Sequence, residues 1–469
     1  GIVHTAVMYG QEDFELGTKI GLPKQHLVSP DGTFAKGTDW LEGRSVVDET
    51  LAVDILKDLQ SRGLLFDKEN YTHSYPFCWR CKTRLIYYAR DSWYIKMSAL
   101  REDLIKENQK INWEPDYIKD GRFGEWLREV KDWAISRERF WGTPLPVWVC
   151  QECNSRKVAS SIADIEQKHR NKFFAVRHGQ SENNVKNILN GDTNHKYDLT
   201  EKGRGEALEA ADKLKKIDII YSSPFLRTRK TAEIIADSIG YPKDKIIVDD
   251  RFCEMGFGIC EGKTLDEYLT YFKDIPREEI FSFAPEGAEN RQEIKNRTGT
   301  ALSEIDSKYE GKNILIVSHE GPIWGMYTSA EALNVPQTLA SKPRGKEFVK
   351  NGEIKEFIWR QVPRNKNFEL DLHKPFIDEI KMRCPCGGGM SRAKEVMDVW
   401  LDSGSMPFAS FDLAQDKQMY PADYISEAID QTRGWFYTLH AVGVLEGRGA
   451  AFKNVICLGH ILDKDGKKM

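Results

Sequence analysis

The sequence predicts an α/β multidomain protein in which a complete three-layer α/β/α unit interrupts a second, different unit. Two observations carry this. From Lys172 onward, apolar strand-like runs alternate with amphipathic helical stretches, the pattern of a sheet covered on both faces. Two short cysteine pairs, Cys150/Cys153 and Cys384/Cys386, flank that stretch, with 230 residues between Cys153 and Cys384. Four thiolates can meet across that gap only if the intervening chain returns to where it left, as the ends of a domain commonly do.

Taken in order, GIVHTAVMYG reads as a strand, followed by a polar loop and a helix in TLAVDILKDLQSRG, where Leu51, Ile55 and Leu59 share one face before a glycine stop. LIYYARDSWYIKM is strand-like in its aromatic content, and a polar helix runs from Ser98 to about Glu107. FGEWLREV predicts a helix with Phe123, Trp126, Leu127 and Val130 as its stripe, before turns at Gly142 and Pro144. In the interrupting unit, FFAVRH is a strand, TEKGRGEALEAADKLKK a helix starting near Thr200, DIIYSS a strand and FLRTRKTAEIIADSIG a helix ending at Gly240. NILIVSHEG at 313 to 321 and EIKEFIWR at 353 to 360 supply further strands, and the first pattern resumes near Leu372.

The 469 residues are 40% hydrophobic, enough for several cores. Lys plus Arg number 68 against 72 Asp plus Glu, so the formal charge of -4 excludes a wholly basic nucleic-acid coat and leaves only a local basic groove. Nine cysteines, largely in short-spaced pairs, favour metal binding over a secreted disulfide framework and point to the reducing cytoplasm. No run approaches the roughly 20 apolar residues of a membrane span and no signal peptide opens the chain. The reading is of a soluble cytoplasmic monomer without a membrane partner. The ends look cut, as in an internal fragment.

Arg177-His178-Gly179 and Ser318-His319-Glu320-Gly321 each follow an apolar strand, so both histidines can sit at one sheet edge. Arg227 lies between a strand end and a helix N-terminus that favours anions. With Arg177 it can hold a phosphoryl group bidentately. His178 is the candidate nucleophile and Glu254, in a glycine-rich loop, the candidate proton donor, ahead of Glu261. Read singly, each histidine is as readily a packed structural one. Together, RHGQSENN and the three later motifs closely resemble the histidine phosphatase superfamily, also called phosphoglycerate-mutase-like, over roughly 171 to 362. The resemblance implies a phosphohistidine on His178, phosphate contacts from Arg177, Arg227, Asn184 and His319, and Glu254 as acid-base. The phosphomonoester substrate stays open, as does mutase chemistry.

WVCQEC and RCPCGGGM supply Cys150, Cys153, Cys384 and Cys386, a donor set for one closed, structural zinc site; four unpaired buried thiols are the alternative. Cys78 and Cys81 form another half-site without an evident second pair. HTAVMYGQEDFELG, YPFCWRCKTRLIYYARDSWYIKM, DWAISRERFWGTPLPVWVC, EVMDVWLDSGSMPF, DQTRGWF and GHILDKDGKKM together resemble the isoleucyl-tRNA synthetases of class I. That implies ATP-dependent activation of isoleucine, with ATP used as its Mg complex, and transfer to tRNA(Ile). Glu427, Asp430 and Gln431 match the family's E-x-x-D-Q element beside the aminoacyl-adenylate, with Trp435 following and Trp400 and Asp402 shaping the same region. Lys468 matches the first lysine of KMSKS. The second loop lysine and any HIGH-like motif are missing, so isoleucine-dependent pyrophosphate exchange is not expected of this chain.

A pocket for isoleucine excludes valine poorly, since one methylene separates them, and hydrolytic editing supplies the remaining fidelity in the family. His4 and Asp13 match its editing elements, Asp13 pairing with the ammonium of mischarged valine and His4 near the ester or terminal ribose; a packed histidine and a capping aspartate are the plain alternative. The resulting division is 1–70 for the end of the editing domain, 71–168 for the connective region with the first cysteine pair, 171–362 for the insert, 365–395 for the second pair, and 396–469 for part of the Rossmann-like catalytic domain. An inactive docking or tRNA-contact insert, or an artificial chimera of two genes, are the competing readings. The smooth resumption of ELDLHKPFIDEIKMRCPC speaks for an in-frame insertion.

Overall fold

The computed structural model describes residues 4–78, 80–277, 279–343, 345–410 and 419–467. Two compact units divide the chain between Trp93 and Tyr94. In the first, helices Gln11–Ile20 and Leu51–Ser61 are joined by turns, and Gly21 ends the former in the left-handed conformation at φ 76°. The strand expected over the first ten residues is not found in residues 4–10, which form a loop and turn. Val7 instead packs on Gly17, where a Cβ would come within 2.6 Å of its methyl, so this apolar residue serves helix packing and not a ladder. The strand expected in LIYYARDSWYIKM shrinks to Tyr94–Ile95. Its aromatic content has another use: Tyr88 stacks on His26 with ring centroids 4.2 Å apart.

The second unit holds the interrupting α/β/α layers. Five strands lie in the order Ile354–Ile358, Lys172–Arg177, Asn313–Ser318, Ile219–Ser222, Ile247–Val248. All are parallel except the first, which runs antiparallel at its edge. The period-2 rule of strands sorts the central residues between two cores. Ile314 and Ile316, with Phe173 and Ala175, join Leu302, Ile305 and Ile323 on one face; Leu315 and Val317, with Val176, join Ala210, Ala232 and Ile235 on the other. The helices doing the covering start where the sequence signals lie. Thr200 caps Glu201–Lys213 by accepting the Gly203 N–H, and Asn290 caps Arg291–Lys308 in a capping box. Leu226–Ile239 ends on Gly240, left-handed at φ 71°.

The host elements on either side fold together. Residues before and after the insert share a parallel sheet in the order Ile425–Ala428, Asn454–Leu458, Asn112–Glu114. It packs with helix Trp435–Leu445 around Trp113, Phe123, Leu127, Phe436 and Phe452. Helix Val399–Gly404 approaches that helix closely because residue 404 lacks a Cβ, which would meet the Thr438 carbonyl at 2.7 Å. Two hairpins form a second small sheet, Met382–Arg383, Gly389–Arg392, Val147–Cys150 and Arg156–Val158, with Met390 opposite Cys150.

The two ends of the insert come together at its base. Gln167 pairs antiparallel with Gln361, and Arg360 grips the Glu166 carboxylate with two hydrogen bonds of 2.9 and 2.8 Å. The central strands start at this base and point away from it, so their C-terminal ends lie about 20 Å off, six residues at ~3.3 Å each.

Candidate functional site

His178 and His319 occupy equivalent positions one residue past two neighbouring parallel strands, because Arg177 is in register with Ser318. Their rings lie 5.1 Å apart, and both are buried, at 2% and 0% exposure. Local sterics explain the glycine of the RHG motif: a Cβ on Gly179 would meet the Gly203 carbonyl at 2.0 Å, at the start of helix Glu201–Lys213. The loop therefore lies directly on the helix backbone.

Hydrogen bonds fix the tautomers. His178 Nδ1 faces the Gly179 carbonyl at 2.8 Å, and a carbonyl only accepts, so Nδ1 carries the proton and Nε2 keeps its lone pair. Arg227 Nε donates to that lone pair at 3.2 Å. Arg227 also donates through Nη2 to His319 Nδ1 at 3.3 Å, which leaves the His319 proton on Nε2, directed to Ser223 Oγ at 2.9 Å. Burial, reinforced by Arg227 and Arg177, holds the His178 imidazole well below its ordinary pKa. Burial, then Arg227 and His178, does the same for His319. Both rings are neutral at physiological pH, and Nε2 of His178 is unprotonated, the state in which an imidazole can attack phosphorus.

Glu254 follows the short 3-10 turn Asp250–Phe252, and its carboxylate Oε2 lies 3.7 Å from His319 Nδ1. Burial raises its carboxyl pKa, opposed by the Met255 N–H and Arg227. A mostly enclosed acid with a raised pKa beside a neutral imidazole is the pairing that proton donation requires. Arg227 is itself brought down to about 10 by burial, with Glu254 and Glu261 opposing that shift.

The other predicted residues divide. Arg177 reaches toward the pocket rim, where Nη1 donates to Glu347 at 2.7 Å and the Val349 carbonyl at 2.9 Å, while its buried Nε has no partner. Asn184 uses its side-chain oxygen to cap helix Glu182–Val185, accepting from Ser181 N and Oγ at 3.1 and 2.9 Å. Sequence reasoning missed Asn190, buried and accepting from Arg227 Nη1 at 2.6 Å, and Ser223 behind His319. Asn190-Gly191 reads as a turn dipeptide, and nothing local marks it as a pocket wall.

The four cysteines meet. Their sulfurs all lie within 4.8 Å of one another, with Cys150–Cys386 and Cys153–Cys384 at 3.6 Å. Zinc–sulfur bonds of ~2.3 Å in a tetrahedron place sulfurs about 3.8 Å apart, so this donor set fits such an ion. Each pair sits on a tight turn, with Asn154 at φ 57° and Gly387 at φ 94°. Cys78 and Cys81 also lie in a turn, the Lys82 N–H bonding back to the Cys78 carbonyl at 2.9 Å. Among the described residues only Cys150, Cys153, Cys384 and Cys386 form a metal-sized cluster.

On the host sheet, Gln431 Oε1 accepts the Trp435 N–H at 2.8 Å, and Trp400 and Gln431 both lie against Gly434. Asp430 is 3.9 Å from His460, and Glu427 stands on the edge strand in register with Cys457. Asp402 is half-buried in helix Val399–Gly404. Asp398, which the sequence reading passed over, is buried and binds Trp133 and Arg137 at 3.1 and 3.0 Å. Asp13, in the first turn of helix Gln11–Ile20, accepts the Ala6 N–H at 3.3 Å, and His4 is exposed. Lys468 lies outside the described residues.

Comparison with known proteins accounts for both parts. A model of the histidine phosphatase superfamily (branch 1) matches residues 173–344. A model of the class I tRNA synthetases (I, L, M and V) matches 18–202 and 336–469, more than half of the chain. Isoleucine--tRNA ligases of Dehalococcoides mccartyi and Thermus thermophilus are each 30% identical over the whole chain, which spans 28% and 27% of their lengths. Similar solved structures include a mycobacterial glucosyl-3-phosphoglycerate phosphatase in complex with VO3, at 24% identity and TM-score 0.36, covering 41% of this chain and 96% of that one. Another is a phosphoserine phosphatase of Entamoeba histolytica in complex with 3-phosphoglyceric acid, at 26% identity and TM-score 0.33, covering 40% and 90%. No described helix is long and apolar enough to cross a membrane. The chain belongs to the class I tRNA synthetase family, with an isoleucyl-tRNA-synthetase-like region interrupted by a histidine-phosphatase-like α/β/α domain.

Proposed function

We propose that the insert is a phosphomonoesterase working through a phosphohistidine, carried by a cytoplasmic isoleucine--tRNA ligase. The observation that supports the first half is the His178 tautomer: Nδ1–H is spent on the Gly179 carbonyl, so Nε2 carries the lone pair, directed at the Arg227 guanidinium where a phosphoryl group would be held. Nε2 attacks phosphorus, the P–O bond to the leaving group breaks, and the Glu254 carboxyl gives its proton to the leaving oxygen. Glu254 then takes a proton from a water whose oxygen attacks the phosphohistidine; the P–N bond breaks, releasing phosphate and neutral imidazole. Arg227 and the unpartnered Nε of Arg177 supply donors to the equatorial oxygens, while His319, whose Nε2–H is taken by Ser223, orients Arg227 through Nδ1.

For the host, the reading is activation of isoleucine by MgATP, transfer to tRNA(Ile), and editing of mischarged valine, with Glu427, Asp430, Gln431, Trp400, Asp402 and Trp435 beside the adenylate. Cys150, Cys153, Cys384 and Cys386 would hold zinc, whose role there is structural cross-linking. The division at 171–362 stands on the Gln167–Gln361 pairing at the base.

The deciding test is release of nitrophenol from para-nitrophenyl phosphate by the whole chain and by His178→Ala. Loss of the nucleophile lowers kcat by about 1,000-fold or more, since it removes the covalent route altogether. Equal rates in both proteins would refute the phosphomonoesterase.

A further inference from the structure

We infer that Glu261 is a positioning residue that holds Arg227 in the phosphate pocket through Asn190, which rests on the phosphomonoesterase reading above. Arg227 is buried and needs acceptors for its guanidinium. Asn190 supplies two: its side-chain oxygen takes Nη1 at 2.6 Å and its backbone carbonyl takes Nη2 at 3.1 Å. One asparagine therefore grips one edge of the fork and leaves Nε to face His178. That grip requires the Asn190 amide in one orientation and the Asn190-Gly191 backbone in one place.

Glu261 meets both requirements. Its Oε1 and Oε2 each accept the Gly191 N–H at 3.0 Å, and Oε1 accepts Asn190 Nδ2 at 3.3 Å. The amide nitrogen of Asn190 is thereby turned to the carboxylate and its oxygen to Arg227. Two backbone bonds bring Glu261 to this loop: Leu189 N to the Lys263 carbonyl at 2.9 Å and Gly262 N to the Leu189 carbonyl at 3.1 Å. Gly191 lies so close to Met255 that a Cβ would meet its carbonyl at 2.2 Å, which ties the loop to the residue after Glu254 as well. Glu261 thus contributes a fixed negative charge behind the arginine, without facing the nucleophile, and the acid for the leaving group is Glu254.

The test titrates inorganic phosphate into the whole chain by calorimetry, beside hydrolysis of para-nitrophenyl phosphate. Glu261→Ala weakens phosphate binding and raises KM by about 10-fold, the scale of one charge-assisted hydrogen bond. On an alkyl phosphate, whose leaving oxygen needs a proton, it leaves the alkaline limb of the kcat–pH profile in place, because that limb belongs to Glu254. Glu261→Gln, which keeps an acceptor for the Gly191 N–H, recovers most of the affinity. Asn190→Ala reproduces the loss, and the double variant loses no more than either single one. Unchanged phosphate affinity in Glu261→Ala, additive losses in the double variant, or a displaced alkaline limb would each overturn the inference. If phosphate binds with this Glu261 dependence but nothing is hydrolysed, the phosphomonoesterase falls and the positioning role stands. If the parent chain binds no phosphate, both fall. Should Glu261→Ala fail to fold, Asn190→Ala carries the affinity test alone.

Discussion

The insert and its host place their candidate site residues in opposite settings. In the insert, His178, Arg227 and His319 are buried and bonded to one another and to Asn190 and Ser223. In the host, Trp400 is 42% exposed, Asp430 meets His460 at 3.9 Å and accepts from Gln431 at 3.4 Å, and Glu427 stands at a sheet edge. Strand Asn454–Leu458 alternates buried Val455 and Cys457 with exposed Ile456 and Leu458, so within this chain its sheet is covered on one face. The insert's sheet is covered on both. A site enclosed by its own layers arrives preorganised, with tautomers and pKa shifts already set by burial; a site on a one-sided sheet does not.

The largest effect that separates the two regions lies at Glu254. Glu254→Gln removes the proton donor, and we expect alkyl phosphate hydrolysis to fall by about 100- to 10,000-fold. Aryl phosphates, whose leaving oxygen needs no proton, lose far less. Equal losses on both substrates would assign the proton to another group. Because burial raises the Glu254 carboxyl, its protonated form persists to higher pH than in an ordinary carboxylate, and activity declines as pH rises through that pKa.

Next comes the cysteine cluster. Cys384→Ser, or treatment with a zinc chelator, should unfold the small two-hairpin sheet, since structural zinc sites supply about 10 kcal/mol or more to comparable small folds. The insert has its own cores, so phosphate-ester hydrolysis should survive while a host thermal transition is lost. Loss of both together would show that the two regions fold as one.

The smallest effect is acid stability. His440 is buried in the host core, its Nε2–H donated to the Leu104 carbonyl at 2.9 Å, and burial lowers it to about 4. The unfolded chain binds that proton more readily, so stability is fully present above pH ~6.5 and is lost as pH falls toward 4, by roughly 3 kcal/mol. His178 and His319 act in the same direction in the insert. Melting curves between pH 7 and 4.5 check this, and His440→Gln should flatten the slope of the host transition. An unaltered slope would mean the acid sensitivity belongs elsewhere.

Much of this was legible from residue order. The strands Lys172–Arg177, Ile219–Ser222 and Asn313–Ser318 lie where apolar runs end in RH, SS and SH, because alternating burial and helix caps are local properties. The first-unit strand failed for the same reason in reverse: Val7 is apolar for a contact with Gly17, which no local pattern distinguishes from a ladder. Asn190 and Asp398 were missed because buried polar residues look like turn and cap residues until their partners, Arg227 and Arg137, are in place.

The sequence by itself determined the chemistry on offer: two histidines, two arginines, an acid, and four thiols in two pairs. It also determined that one unit interrupts another, since helical and strand periodicity and the flanking motifs are written along the chain. Tertiary structure alone decided which nitrogen of His178 is free, where Asn184 and Asn190 point, and that Cys150 lies 3.6 Å from Cys386 across the whole insert. Those depend on registers and close approaches between segments far apart in sequence, above all Arg177 beside Ser318 and Gln167 beside Gln361. Only the packed sheet brings such pairs together.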